Sequence, residues 1–250
     1  MNREIIKKTF ADYVKDYNAK DPKIALKIAH TFRVADISDC IARDIGLDDY
    51  DVDIAWTIGM LHDIGRFEQI RQYNTFIDSK SVNHAEFGVS LLFDEGLIER
   101  FTIEKEIWNY IKSAIWNHNV YRLPDSLTEK ELIFCKIIRD ADKIDIIRVN
   151  YETPMEDVYN TTSDELRNSK ITDSVYKAFY EENAINHSLK KTGVDMLIGH
   201  ISLVFELEYD ISREILKEQG YLKKLMDFES YNEETVLRLN EIKQFMSKYV

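Results

Sequence analysis

Residues 59–68, GMLHDIGRFE, decide how this chain folds. From Asp49 onward apolar residues recur at helical spacing, and His62 shares a face with Ala55 and Ile58. The His62-Asp63 doublet therefore sits on an apolar helical stripe, until Gly65 interrupts the pattern. A buried imidazole or carboxylate is costly unless something satisfies it. Other residues stand the same way. His30 lines up with Val34, Ile37 and Ile41, and His84 with Phe87, Gly88 and Leu91. His118 follows Ile111, Ala114 and Ile115, while Asp142 sits with Cys135, Ile138 and Ile146. A single histidine on an apolar face is ordinarily a packing residue satisfied by a neighbour. Five such places before residue 143 point instead to one shared satisfier, a metal centre. The set contains no thiolate, which suits Fe, Mn, Co, Zn or Mg better than a structural zinc site built on cysteine.

Helical periodicity extends over nearly the whole chain, with only 8 Gly and 3 Pro in 250 residues. The expected class is all-α, with no internal repeat and no low-complexity segment. Asp21-Pro22 has the form of an N-cap followed by a first-turn proline and opens a helix to Asp44. A second helix runs from Asp49 to the doublet, and others are expected over 81–95, 103–117 and 128–150. The last opens with Thr128-x-x-Glu131, a capping-box pattern. After Pro154, Thr162-x-x-Glu165 caps a short helix, and further helices are expected over 172–183, 192–209, 211–228 and 233–249. Residues 1–150 read as a metal-binding helical core and 151–250 as a helical extension packed on it.

Composition sets the boundaries. Hydrophobic residues make up 44% and charged residues 31%, ordinary for a soluble domain able to bury a core without disulfides. Cys40 and Cys135 fall inside apolar helical patterns and are expected as buried free thiols. The charged start and the lack of a long apolar window point to a cytoplasmic protein with no membrane span. A net charge of −12 argues against a general nucleic-acid surface, while leaving room for a small phosphorylated ligand held by a few cations.

The ordered set His30, His62-Asp63 and Asp142 resembles the HD-domain metal-dependent phosphohydrolases, helical proteins named for that doublet. The strings AHTFRVADI, GMLHDIGRFE and RDADKIDIIR carry the likeness over residues 21–150. His84 in NHAEFG and His118 in WNHN match the two additional histidines of HD subgroups that hold two metals. The resemblance implies an HD-type helical bundle with one or two divalent ions. One ion would take His30, His62, Asp63 and Asp142; the other would take His84 and His118, with Asp63 bridging. Elementary chemistry agrees, since two close cations need a shared anionic ligand. The cyclic di-GMP branch carries a Gly-Tyr-Pro signature after its paired histidine, whereas NVYRLP follows His118 here. The glutamate acid of some single-metal nucleotidases is replaced by Arg66.

Asp63 and Arg66 are the catalytic candidates. Arg66 also resembles the family's phosphate contact. Arg33 lies three residues after His30, as a phosphate ligand or as an orienter of a metal-bound carboxylate. Lys80, Arg139 and Lys143 complete the substrate-binding candidates, and residues 68–83 have the position of a substrate-selecting loop in which Tyr73, Phe76 and Asp78 could meet a base or sugar. His187 reads as solvent-facing, and His200 as a satisfied packing histidine. The expected activity is phosphoester hydrolysis of a small phosphorylated metabolite or nucleotide. A diiron oxygenase on the same scaffold and a non-catalytic nucleotide-binding signalling protein are the alternatives. The aromatic C-terminal helices leave a homodimer open.

Overall fold

The computed structural model describes residues 1–249, and every regular element among them is helical. The all-α expectation holds. Two compact units divide inside one long helix, the first covering Met1–Ala141 and the second starting at Asp142. None of the described helices is long and apolar enough to cross a membrane.

The first unit contains α1 (Arg3–Val14), α2 (Pro22–Asp44), α3 (Asp49–Leu61), α4 (Ile64–Tyr73), α5 (His84–Val89), α6 (Trp108–Asn117) and the start of α7 (Glu129–Glu152). Asp21 caps α2 by accepting from the Lys23 backbone N–H, and Asp48 caps α3 through Asp51 N–H. Thr128 and Glu131 make the reciprocal contacts that open α7.

α3 is the middle of this unit. From Ile54 to its end every residue is buried, so the helix is apolar on all sides rather than along a stripe. The Phe10 ring of α1 closes one flank, edge-on to Phe32 at 5.7 Å and to Phe67 at 5.8 Å. α2 and α3 touch backbone to backbone. A Cβ at Gly59 would stand 2.6 Å from the Ala35 Cα, so glycine is what permits the approach.

Several expected boundaries move, each for a local reason. Gly65 does not end a helix; the break falls one step earlier, at Asp63, whose φ of −104° and ψ of 17° leave the helical range. Helix α4 then continues to Tyr73, so the segment expected as a loop over 68–83 begins as helix. The Asn83 side chain accepts from Ala85 and Glu86 N–H, which starts α5 at His84 rather than residue 81. A π-helical turn, Ser90–Asp94, replaces its expected continuation. α6 starts only at Trp108, after a 3-10 turn at Lys105–Ile107. Cys135 is buried as expected, but Cys40 is exposed, on the outer side of α2.

The second unit continues α7 and adds α8 (Met155–Tyr159), α9 (Ser163–Asn168), α10 (Asp173–Phe179), α11 (Gly193–Ile201), α12 (Asp210–Gln219), α13 (Tyr221–Met226) and α14 (Glu233–Met246). The helix expected over 211–228 is cut in two by Gly220, whose φ is +68°. Asp195 of α11, fully buried, accepts from Thr172, Lys191 and Thr192 backbone N–H groups and so ties three segments together.

Gly59→Ala should lower stability by about 1–3 kcal/mol, the usual cost of overpacking, because its Cβ meets backbone that no rotamer can move aside. Thermal unfolding checks this; an unchanged midpoint would mean that α2 and α3 are not locked at this contact.

Candidate metal centre

Four of the five candidate ligands in the first unit sit at helix ends. His62 closes α3, Asp63 stands at the α3–α4 junction, His84 opens α5 and His118 closes α6; only His30 lies mid-helix, in α2. Helix C-termini leave carbonyls without intrahelical partners. Both C-terminal histidines use one. His62 Nδ1 lies 2.8 Å from the Gly59 carbonyl and His118 Nδ1 lies 2.7 Å from the Ile115 carbonyl. Each ring is thus turned back three residues, with its Nε2 facing inward. The start of α5 is brought in by Gly65, where a Cβ would stand 2.5 Å from the His84 carbonyl oxygen.

The five residues form two triads sharing Asp63, with candidate ligand atoms within 4.8 Å of one another in each. Asp63 gives one oxygen to each pair of histidines. Its Oδ2 lies 3.5 Å from His30 Nε2 and 3.6 Å from His62 Nε2. Its Oδ1 lies 3.5 Å from His84 Nε2 and 3.8 Å from His118 Nε2. All five side chains are buried.

This donor set fits metal ions. A carbonyl can only accept, so His62 and His118 carry their proton on Nδ1 and present a bare Nε2. His84 Nδ1 lies 2.6 Å from Asp78 Oδ2 and donates in the same way. His84 and His118 therefore point lone pairs at each other across 2.9 Å, which repels unless a cation takes both. Two nitrogens at ordinary metal distances of about 2.05 Å lie about 2.9 Å apart at a right angle and about 3.3 Å apart at the tetrahedral angle. The observed separations are 2.9 Å for His84–His118 and 3.3 Å for His30–His62.

The electrostatics suit the same purpose. Burial works to raise the Asp63 carboxyl, but Lys27, His62 and Arg66 overcome it and hold the group well below the usual carboxylate range. Burial, then the Arg66 charge, lowers the His84 imidazole, leaving it neutral and free to ligate at neutral pH. Asp78 is also lowered: burial opposes ionisation, and the His84 hydrogen bond and Arg66 outweigh it. Its Oδ1 accepts from Arg66 Nη1 at 2.8 Å and from Gln69 Nε2 at 3.0 Å. Asp78 is thus a carboxylate that fixes a candidate ligating histidine.

Lys27 carries no motif, yet its Nζ lies 2.6 Å from Asp63 Oδ2, on the His30–His62 side. The only signal in the sequence is its position three residues before His30 on the same helix. Lys27 Nζ and the Arg66 guanidinium both lie over the Phe76 ring, at 5.5 and 5.7 Å. Arg66 Nη1 donates to Gln69, Phe76 and Asp78, while its Nε stands 3.6 Å from Asp63 Oδ1.

The other candidates are less uniform. Arg33 is half-buried on α2, and Lys80 is exposed in a 3-10 turn, Asp78–Lys80. Arg139 is buried and donates from Nη1 to the Asn117, His118 and Val120 carbonyls, bracing the backbone around a candidate ligating histidine. Asp142 and Lys143 lie on α7 beyond the unit boundary, both half-buried. The fully buried carboxylates of that helix are Asp140 and Asp145.

The family model of the HD domain matches residues 28–147, a span that includes all six predicted ligands. Residues 28–147 are an HD domain. No curated protein matches the chain. HD domains bind divalent metals and are generally hydrolases, which agrees with the paired triads around the HD doublet.

Asp78→Ala should weaken divalent-metal binding about 10–100-fold, the usual effect of losing the partner that orients a ligating histidine. Lys27→Met should do the opposite, tightening binding by on the order of tenfold because it removes the cation that competes with the metal for Asp63. Metal titration by calorimetry checks both. Equal affinities in the wild type and Asp78→Ala would deny the orienting role, and unchanged or weaker binding in Lys27→Met would deny the competition.

Proposed function

We propose that the chain is a metal-dependent phosphohydrolase acting on a small phosphorylated metabolite, with a nucleotide as a plausible member of that class. The observation that carries this reading is Asp63, which turns one oxygen to each of two histidine pairs while two cations, Lys27 and Arg66, stand beside it. One ion would be held by His30, His62 and Asp63, with Asp142 as its further ligand by the family pattern. The second would be held by Asp63, His84 and His118. Such ions acidify a water and neutralise a phosphoryl oxygen.

The chain's own groups supply the rest. Asp63 is held ionised and would serve both ions. Arg66 Nη2 makes no hydrogen bond among the described residues, so it can reach a phosphoryl oxygen while Nη1 remains anchored on Asp78. Lys27 adds a second positive charge that an incoming phosphate can draw off the Asp63 carboxylate. Arg33, Lys80 and Lys143 remain candidate contacts for the rest of the substrate, and Arg139 acts as a positioning residue. The two cations favour an anionic substrate, and hence hydrolysis over the oxygenase chemistry that a similar ligand set can support.

Protein loaded with Mn or Mg should hydrolyse members of a phosphoester and nucleotide panel without oxygen. Asp63→Ala should lose bound metal together with activity, and Arg66→Met should lower kcat/KM by about 100-fold or more. Full metal content and activity in Asp63→Ala would refute the bridge. Oxygen uptake by iron-loaded protein would support the oxygenase, and tight nucleotide binding without turnover a signalling protein.

A further inference from the structure

In the second unit two buried polar atoms without a hydrogen-bond partner, on Tyr159 and His200, lie close to the side chain of Lys190. Tyr159, the last residue of α8, is 9% exposed, and its hydroxyl is buried without a hydrogen bond. His200 of α11 has a buried Nδ1 that is equally without a partner. The two rings lie 5.7 Å apart at 32°. His200 is therefore packed as its apolar stripe implies, but it is not satisfied.

Lys190 follows the 3-10 turn His187–Leu189 and is the third member. Its ammonium makes neither an ion pair nor a hydrogen bond among the described residues. Its side chain runs along Gly199, where a Cβ would stand 2.7 Å from Cδ and 2.9 Å from Nζ. The missing side chain at 199 is what admits the lysine next to His200. Burial lowers the Lys190 ammonium, and burial followed by the Lys190 charge presses His200 down to about 3. Among the described residues no carboxylate pairs with any of the three. A half-buried ammonium, a buried hydroxyl and a buried ring nitrogen all lack the same thing, an acceptor carrying negative charge.

We propose that Tyr159, Lys190 and His200 form a binding site for a small oxyanion, separate from the metal centre. Lys190 would contribute charge and up to three N–H donors, Tyr159 one O–H and His200 one ring N–H. Water would satisfy the hydroxyl and the ring but leave the ammonium uncompensated, and a cation would meet like charge. The site does not depend on the proposed hydrolysis and survives its failure.

The test uses the full chain loaded with a diamagnetic divalent ion, titrated with inorganic phosphate while the His200 ring resonances are followed by NMR. A saturable shift of His200 is expected. Lys190→Met should weaken that binding by about tenfold or more, and Lys190→Arg should restore it. Tyr159→Phe, which keeps the packing, should weaken it as well. Without the anion the same variant should unfold at a higher temperature, because it deletes an orphaned hydroxyl. Saturation by acetate instead of phosphate would support the site with a carboxylate as its ligand. His200 resonances that move with neither anion, or equal affinities in the wild type and Lys190→Met, would overturn the proposal.

Discussion

One buried carboxylate organises the first unit. Asp63 is 3% exposed, ionised, and placed so that each oxygen faces a different pair of imidazoles. A charge in such a place is tolerated only when cations surround it. Lys27 and Arg66 meet part of that demand from the protein itself. Divalent ions on the histidine nitrogens would meet the remainder, and would also relieve the lone-pair opposition of His84 and His118.

The helical scaffold follows from the need to bring five groups to this carboxylate. α3 is apolar on every side and carries the doublet into the interior. The chain then turns at Asp63 itself, so the bridging group sits where the backbone leaves the helix. Glycines at 59 and 65 let α2 and α5 close to backbone contact, which sets the His30 and His84 sides. Helix C-termini orient His62 and His118 through their own carbonyls, and Asp78 does the same for His84 from outside a helix. The orienting partners are as much part of the centre as the ligands.

Much of this was legible in the sequence, because burying polar groups is costly and the stripes show where they are buried. The doublet, His30, His84 and His118 were found that way, while the caps at Asp21, Thr128 and Thr162 were read from their capping patterns. What periodicity could not show was where helices stop. A stripe looks the same through a helix end, so Asp63 at a junction and α5 starting at His84 were invisible to it. Lys27 and Asp78 escaped for a different reason: their roles depend on contacts across the fold, and a lysine or aspartate on a helix or turn is ordinarily solvated. Cys40 was misplaced because a single thiol on a long helix fits either face. His200 was correctly read as packed, but whether it is satisfied depends on residues 159 and 190, which no spacing connects to it.

The central claim is that Asp63 is shared by two metal ions. Diffraction from crystals of the metal-loaded chain at a metal absorption edge tests it directly. The account predicts two anomalous peaks, one bounded by His30, His62 and Asp63, the other by Asp63, His84 and His118. A single peak, or metal bound only away from Asp63, would contradict it.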